Sequence, residues 1–135
     1  MRGFPIAAVA LALGACNAVA DTKAAEQGVK DFHAAMDAGQ YDPIYDGSAA
    51  DMKSDLTKPE FAQFLGGLHG KLGAYKSGKT VGWHDNVDTG GHYVTLNRKV
   101  EFERGPATEE FVFRIEKGKT MLAGYHVSSR ALVTS

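Results

Sequence analysis

Cysteine is nearly missing from this chain: Cys16 is the only one in 135 residues. Everything after it therefore lacks an internal disulfide, a thiol nucleophile and a Cys-ligated zinc site. A dominant charge is also missing, because 15 Lys and Arg stand against 16 Asp and Glu. No strong field favours nucleic acid or a polybasic membrane contact. No apolar run reaches the ~20 residues that a spanning helix needs. Serine never stands in a G-x-S-x-G context, H-E-x-x-H is absent, and no pair of general acid and base is evident. No catalytic residue, cofactor or metal is assigned. What is present, 44% hydrophobic and 23% charged residues, is the composition of an ordinary globular domain. At this length it is one domain, large enough to fold without staples.

The N-terminus carries a distinct signal. Arg2 precedes Phe4 to Ala15 (FPIAAVALALGA), an uncharged apolar run that is followed at once by polar residues. That pattern reads as a secretory signal. Leu13-Gly14-Ala15-Cys16 resembles the bacterial lipobox, in which the cysteine is lipidated and becomes the mature N-terminus. The resemblance implies an anchor at Cys16 in a membrane, and Asn17 after it implies outer-membrane sorting. Cleavage after Ala18-Val19-Ala20 satisfies the A-x-A rule as well and would release the protein. Lipidation is preferred because Cys16 stands where it is needed. The expected organisation is a signal at residues 1–15, an anchor and short tether at 16–21, and one domain at 22–135.

Asp21-Thr22 is expected to cap a helix whose stripe is Ala25, Val29, Phe32 and Met36, ending at Gly39. Asp42-Pro43 opens a short helical turn to Asp46. Thr57-Lys58-Pro59-Glu60 has capping-box spacing, with Phe61, Phe64, Leu65, Leu68 and Leu72 as one face and Gly73 as the stop. From Ala74 the period becomes two. Val94, Leu96, Val100 and Phe102 share one parity, as do Phe111, Phe113 and Ile115. Tyr75 to Asp85 and Met121 to Ser129 complete four strands, with turn signals at Asn86 to Gly91, Arg104 to Pro106 and Lys117-Gly118. Helices followed by a meander predict an α+β fold, helices packed on a curved four-stranded antiparallel sheet. Charge is segregated too: residues 21–60 hold 9 acids and 4 bases, residues 61–135 hold 7 acids and 10 bases.

This order, with Phe32 to Tyr45 (FHAAMDAGQYDPIY), Lys71-Leu72-Gly73 and the closing Gly124-Tyr125-His126-Val127-Ser128-Ser129, resembles exported bacterial domains of unknown function. Those resemble cystatin-like or NTF2-like cone folds. The resemblance covers roughly residues 22–132 and implies a fold but no catalytic residue, because cone folds host isomerases, binding modules and scaffolds alike.

Five histidines are the candidate ligands or catalysts. His33 and His69 read as boundary residues at the edges of helix stripes. His84 and His92 bracket the predicted Asp85 to Gly91 loop; facing each other, with Asp85 or Asp88, they would offer nitrogen and oxygen ligands to zinc or copper. Their spacing matches no recognised motif and polar hairpin mouths are ordinary, so no metal is assigned to them. The acidic run Asp37, Asp42, Asp46, Asp51 and Asp55 fails the EF-hand pattern, because Ile44 occupies a ligand position. It reads as a solvated face. Gly66, Gly70 and Lys71 do not form a Walker loop, and the glycines are expected to allow close helix approach.

Arg98 shares the parity of Val94, Leu96, Val100 and Phe102, and a charge on an apolar face needs a partner. It is expected in the cleft between sheet and helices, paired with an acid of the helical half or open to an anionic ligand. A bulge that turns it outward is the alternative. On the last strand, a three-residue Glu116-Lys117-Gly118 loop would put Met121, Ala123, Tyr125 and Val127 on the core side, with His126 and Arg114 outside. A two-residue loop reverses this. Tyr93, Thr95 and His126 are then candidates for a binding surface. The preferred reading is a lipid-anchored, non-enzymatic envelope domain, exported to the periplasmic face of a bacterial membrane, that binds a protein or small ligand through Arg98 and His126. The rivals are a periplasmic inhibitor or immunity protein and a small cone-fold enzyme.

Overall fold

The computed structural model describes residues 5–133, and the side chains of residues 19–133. Helix α1 (Pro5–Asp37) places Ala25, Val29, Phe32, His33 and Met36 on one face, all buried. Asp21 and Thr22 do not begin it. The helical backbone runs through the expected tether, since the alanine- and leucine-rich N-terminal run has high helix propensity and no proline after Pro5. Its end is set by Gly39, whose φ of 73° lets the Gly39 amide donate to Met36 and the Gln40 amide donate to Ala35 at 2.8 Å. Cys16, the expected lipidation site, lies outside the described side chains.

Two short helices follow, α2 (Tyr41–Asp46) and α3 (Ala50–Asp55), and then α4 (Lys58–Leu72). The capping box of α4 is formed: the Glu60 amide donates to Thr57 Oγ1 and the Thr57 amide to Glu60 Oε1. Phe61, Leu65, Leu68 and Leu72 are buried, but Phe64 is 41% exposed. At 100° per residue Phe64 lies about 70° off the centre of that stripe, so it does not share the core face. A Cβ at Gly66 would lie 3.6 Å from the Tyr41 ring, an ordinary contact, and one at Gly70 would meet nothing. The packing at neither position depends on the absence of a Cβ, so the close approach expected of these two glycines is not found.

The strands are β1 (Tyr75–Asp88), β2 (Gly91–Phe102), β3 (Gly105–Glu116) and β4 (Lys119–Ser128), paired in that order as one curved antiparallel sheet. A 3-10 turn, Arg130–Leu132, closes the described chain. The architecture is α+β, with the core between the sheet and α1 and α4. The approach of α1 depends on Gly28, where a Cβ would lie 2.7 Å from Phe113 Cε1. α2 and α3 pass the β4 edge, and the Ala49 amide donates to the Leu122 carbonyl there.

The β3–β4 connection differs from the three-residue loop. Glu116 pairs with Lys119, and Lys117 and Gly118 form a two-residue turn with φ of 52° and 78°. Both positive angles fit the type I′ turn that matches strand twist. That turn puts Leu122 inside opposite Phe113, not Met121. A bulge at Ala123 then shifts the register, because Val112 pairs with Gly124 while Phe113 pairs with Leu122. Tyr125 and Val127 therefore return to the inner face, as expected, whereas Met121 and Ala123 do not.

Candidate functional site

On the inner face of the sheet β2 and β3 each carry a buried charged residue at apolar parity, and the two belong together. Arg98 on β2 and Glu109 on β3 are directly opposite in the register. They are 7% and 2% exposed, and Arg98 Nη1 lies 3.6 Å from Glu109 Oε1. Helix α1 brings His33 onto the same carboxylate, with Nε2 at 3.0 and 2.9 Å from its two oxygens. The Tyr125 hydroxyl donates to Glu109 Oε2 at 2.7 Å. An ionised carboxylate only accepts, so His33 Nε2 carries the proton in this arrangement.

Further contacts hold Arg98 and His33 in place. Arg98 donates to the Tyr75 hydroxyl at 3.2 Å and to Thr80 Oγ1 at 3.3 Å, and the Thr80 hydroxyl donates in turn to Glu26 Oε2 of α1 at 2.6 Å. The Tyr75 ring stacks on His33, with centroids 3.6 Å apart and planes 9° from parallel. Phe32, Phe102 and Phe111 pack edge-on around His33. Burial, with the Glu109 carboxylate beside it, pushes the Tyr125 hydroxyl far above its ordinary value, so it stays a donor. The inward placement expected of Arg98 is met, but its partner comes from the neighbouring strand, not from the acidic helices. His33 is no boundary residue: it is 4% exposed, because it continues the stripe of Val29 and Met36. Glu109 was missed by sequence reasoning. Its signal was there, since it shares parity with Phe111 and Phe113.

Midway along α1 stands another cluster. His92 Nε2 lies 2.7 Å from Asp85 Oδ1 and 3.4 Å from Asp21 Oδ2. Burial, and the Asp85 carboxylate next to it, raise the Asp21 carboxyl above its ordinary value against the opposing pull of His92. His84 does not join. The β1–β2 turn is the two residues Thr89 and Gly90, tightened by Gly90 and Gly91 amides that donate to Asp88 Oδ1. The strands thus extend through the predicted loop and pair His84 with Thr95 and His92 with Val87, which sets the two histidines on opposite faces.

The outer face has its own arrangement. Asp51 of α3 accepts from the Tyr93 hydroxyl at 2.8 Å and from Arg114 at 3.3 Å, so Tyr93 is engaged and half-buried. His126 is exposed, 3.9 Å from Glu110. A shallow groove of about 680 Å³ runs past Ser77, Lys79, Lys99, Thr108 and Ser128, and a neighbouring one of about 430 Å³ includes Asn97, Glu110 and His126. His69, as expected, is a half-buried boundary residue 3.3 Å from Asp37.

The arrangement around Glu109 pins helix to sheet. An isomerase-type site needs a carboxylate base and a tyrosine separated by substrate, whereas Glu109 and Tyr125 touch. No helix among the described residues is long and apolar enough to cross a membrane. A search of curated proteins found no match to this chain. A family model described as a protein of unknown function, DUF4019, matches residues 28–125, a span that holds His33, Arg98, Glu109 and Tyr125. With that match running through most of the helical layer and nearly all of the sheet, the chain belongs to the DUF4019 family.

Proposed function

We propose that this protein is a non-enzymatic binding domain of the bacterial cell envelope, exported and held by a lipid on Cys16 at the periplasmic face of the outer membrane. One observation carries the binding reading. The acid–base groups of the interior are consumed by one another: Glu109 is 2% exposed and takes hydrogen bonds from His33 and Tyr125 beside Arg98. A general acid or base must reach the proton it moves, and these are engaged with one another and with Tyr75 and Thr80. The outward sheet face is where polar side chains remain open, at Lys79, Lys99, Thr108 and His126. Arg98 serves that surface from beneath by holding β2 to β3, and His126 meets the ligand. The helix-on-curved-sheet layout is in keeping with the cystatin-like or NTF2-like cone folds. The lipobox-like Leu13-Gly14-Ala15-Cys16 supports the anchor, and two acyl chains at ~0.8 kcal/mol per buried CH₂ hold a protein without a spanning helix.

The test uses the native full chain. Photo-crosslinkers at Lys99 and His126 should capture one partner in the envelope, and the same label at Lys53 on α3 should not. Intact-mass analysis should show a lipidated chain starting at Cys16, and Cys16→Ser should block that maturation. A soluble chain beginning at Asp21 overturns the anchor. Capture from Lys53 alone overturns the binding face, and an enzyme as the captured partner selects the inhibitor form of the same reading.

A further inference from the structure

We propose a divalent-metal site at Asp21, Asp85 and His92, of the zinc class, that staples the N-terminal helix to the β1–β2 hairpin. Three separate elements supply it: Asp21 comes from α1, Asp85 from β1 and His92 from β2. The pairing explains the second and third. Asp85 lies opposite Val94 and His92 opposite Val87, so both point to the helix-facing side as diagonal neighbours. One ligand atom from each residue lies within 4.8 Å of the others. The His92–Asp21 separation of 3.4 Å is already that of two atoms sharing one ion, and the 2.7 Å His92–Asp85 contact, a hydrogen bond, opens by less than about 1 Å to admit it. Ligands about 2.0–2.2 Å from a tetrahedral ion stand roughly 3.3–3.6 Å from each other.

The chemistry of the donors points to a cation. His92 Nε2 can give one proton to one carboxylate, yet two carboxylates converge on it. A doubly charged ion in place of that proton satisfies all three atoms and neutralises both carboxylates. An imidazole among the ligands favours zinc, copper, nickel or iron over magnesium or calcium, and without a thiolate the set resembles the three-ligand zinc sites that keep a position for water. The side chains are 22%, 16% and 26% exposed for Asp21, Asp85 and His92, which leaves room for that water and a path of entry. The consequence is mechanical. Asp21 stands five residues beyond Cys16 in sequence, so a bound ion ties the start of the domain to the hairpin; the site itself stands whether or not Cys16 is lipidated.

The experiment takes the full chain in detergent, stripped with chelator, and titrates it with Zn²⁺ against a chromophoric competitor. Co²⁺ absorption in the visible reports direct coordination. One equivalent of Zn²⁺ is expected to bind and to raise the melting temperature. Asp21→Asn, Asp85→Asn and His92→Gln should each weaken it by at least about tenfold, since even residues behind a ligand cost 10- to 100-fold. His84→Gln and His126→Gln should leave it unchanged. Histidine ¹⁵N spectra of the unsubstituted chain, in which Zn²⁺ moves the His92 ring and not those of His84 or His126, decide the case even if a variant fails to fold. No stoichiometric binding, no Co²⁺ band, or a zinc response that follows His84 or His126 overturns the site.

Discussion

Arg98 and Glu109 face each other across neighbouring strands on the buried side of the sheet, 3.6 Å apart, and each completes the other's reason for being there. Removing one partner of such a pair leaves an unmatched buried charge, which typically costs ~3–5 kcal/mol. Arg98→Met and Glu109→Gln should each show losses of about that size in urea unfolding. The double variant should cost less than the two added, because neighbours in one network are not independent. A change under about 0.5 kcal/mol for Arg98→Met would mean that its charge sits in water.

Two phenylalanines that look alike in sequence should separate in stability. Phe113 is 3% exposed and stacks on Phe111, with centroids 5.9 Å apart. Its truncation to alanine opens a cavity and should cost ~3–5 kcal/mol. Phe64→Ala, on the exposed side of α4, should cost about 1 kcal/mol or less. Chemical denaturation of both variants checks the difference, and equal losses would contradict the assigned helix face.

The clasp between Asp51, Tyr93 and Arg114 should show in the pH dependence of stability. Burial by itself pushes the Asp51 carboxyl up, but hydrogen bonds from Tyr93, its own backbone and Arg114 prevail and hold it below its ordinary 3.8. A depressed folded value means stability that is present above 3.8 and lost as pH falls through the lower one. Tyr93 moves the other way, raised first by its bond to Asp51. Its contribution is full below its ordinary 10.0 and is lost as pH rises through the folded value. Urea unfolding across pH should therefore show Asp51→Asn losing less than the parent on the acid side and Tyr93→Phe losing less on the alkaline side. Parallel curves for parent and variants would place both groups free in solvent.

Local chemistry was enough to determine the layers. The capping box at Thr57 and Glu60, the stop at Gly73 and the period-two runs from Val94 to Phe102 each depend on residues close in the chain, so the α+β order and four strands were legible. The parity of Arg98 was legible for the same reason, because alternation is a property of one strand. What faces that charge was not, since Glu109 becomes its neighbour only through the β2–β3 register. His33 joins them only when α1 crosses the sheet at Gly28. Register also decided the fate of the histidines: a two-residue turn at Thr89-Gly90 sends His84 and His92 to opposite faces, where a longer loop would have let them meet. Asp21 reaches His92 across 71 positions of chain. Spacing in sequence carries no information about such a contact, because packing of a helix on a sheet, and not the backbone between them, sets the distance.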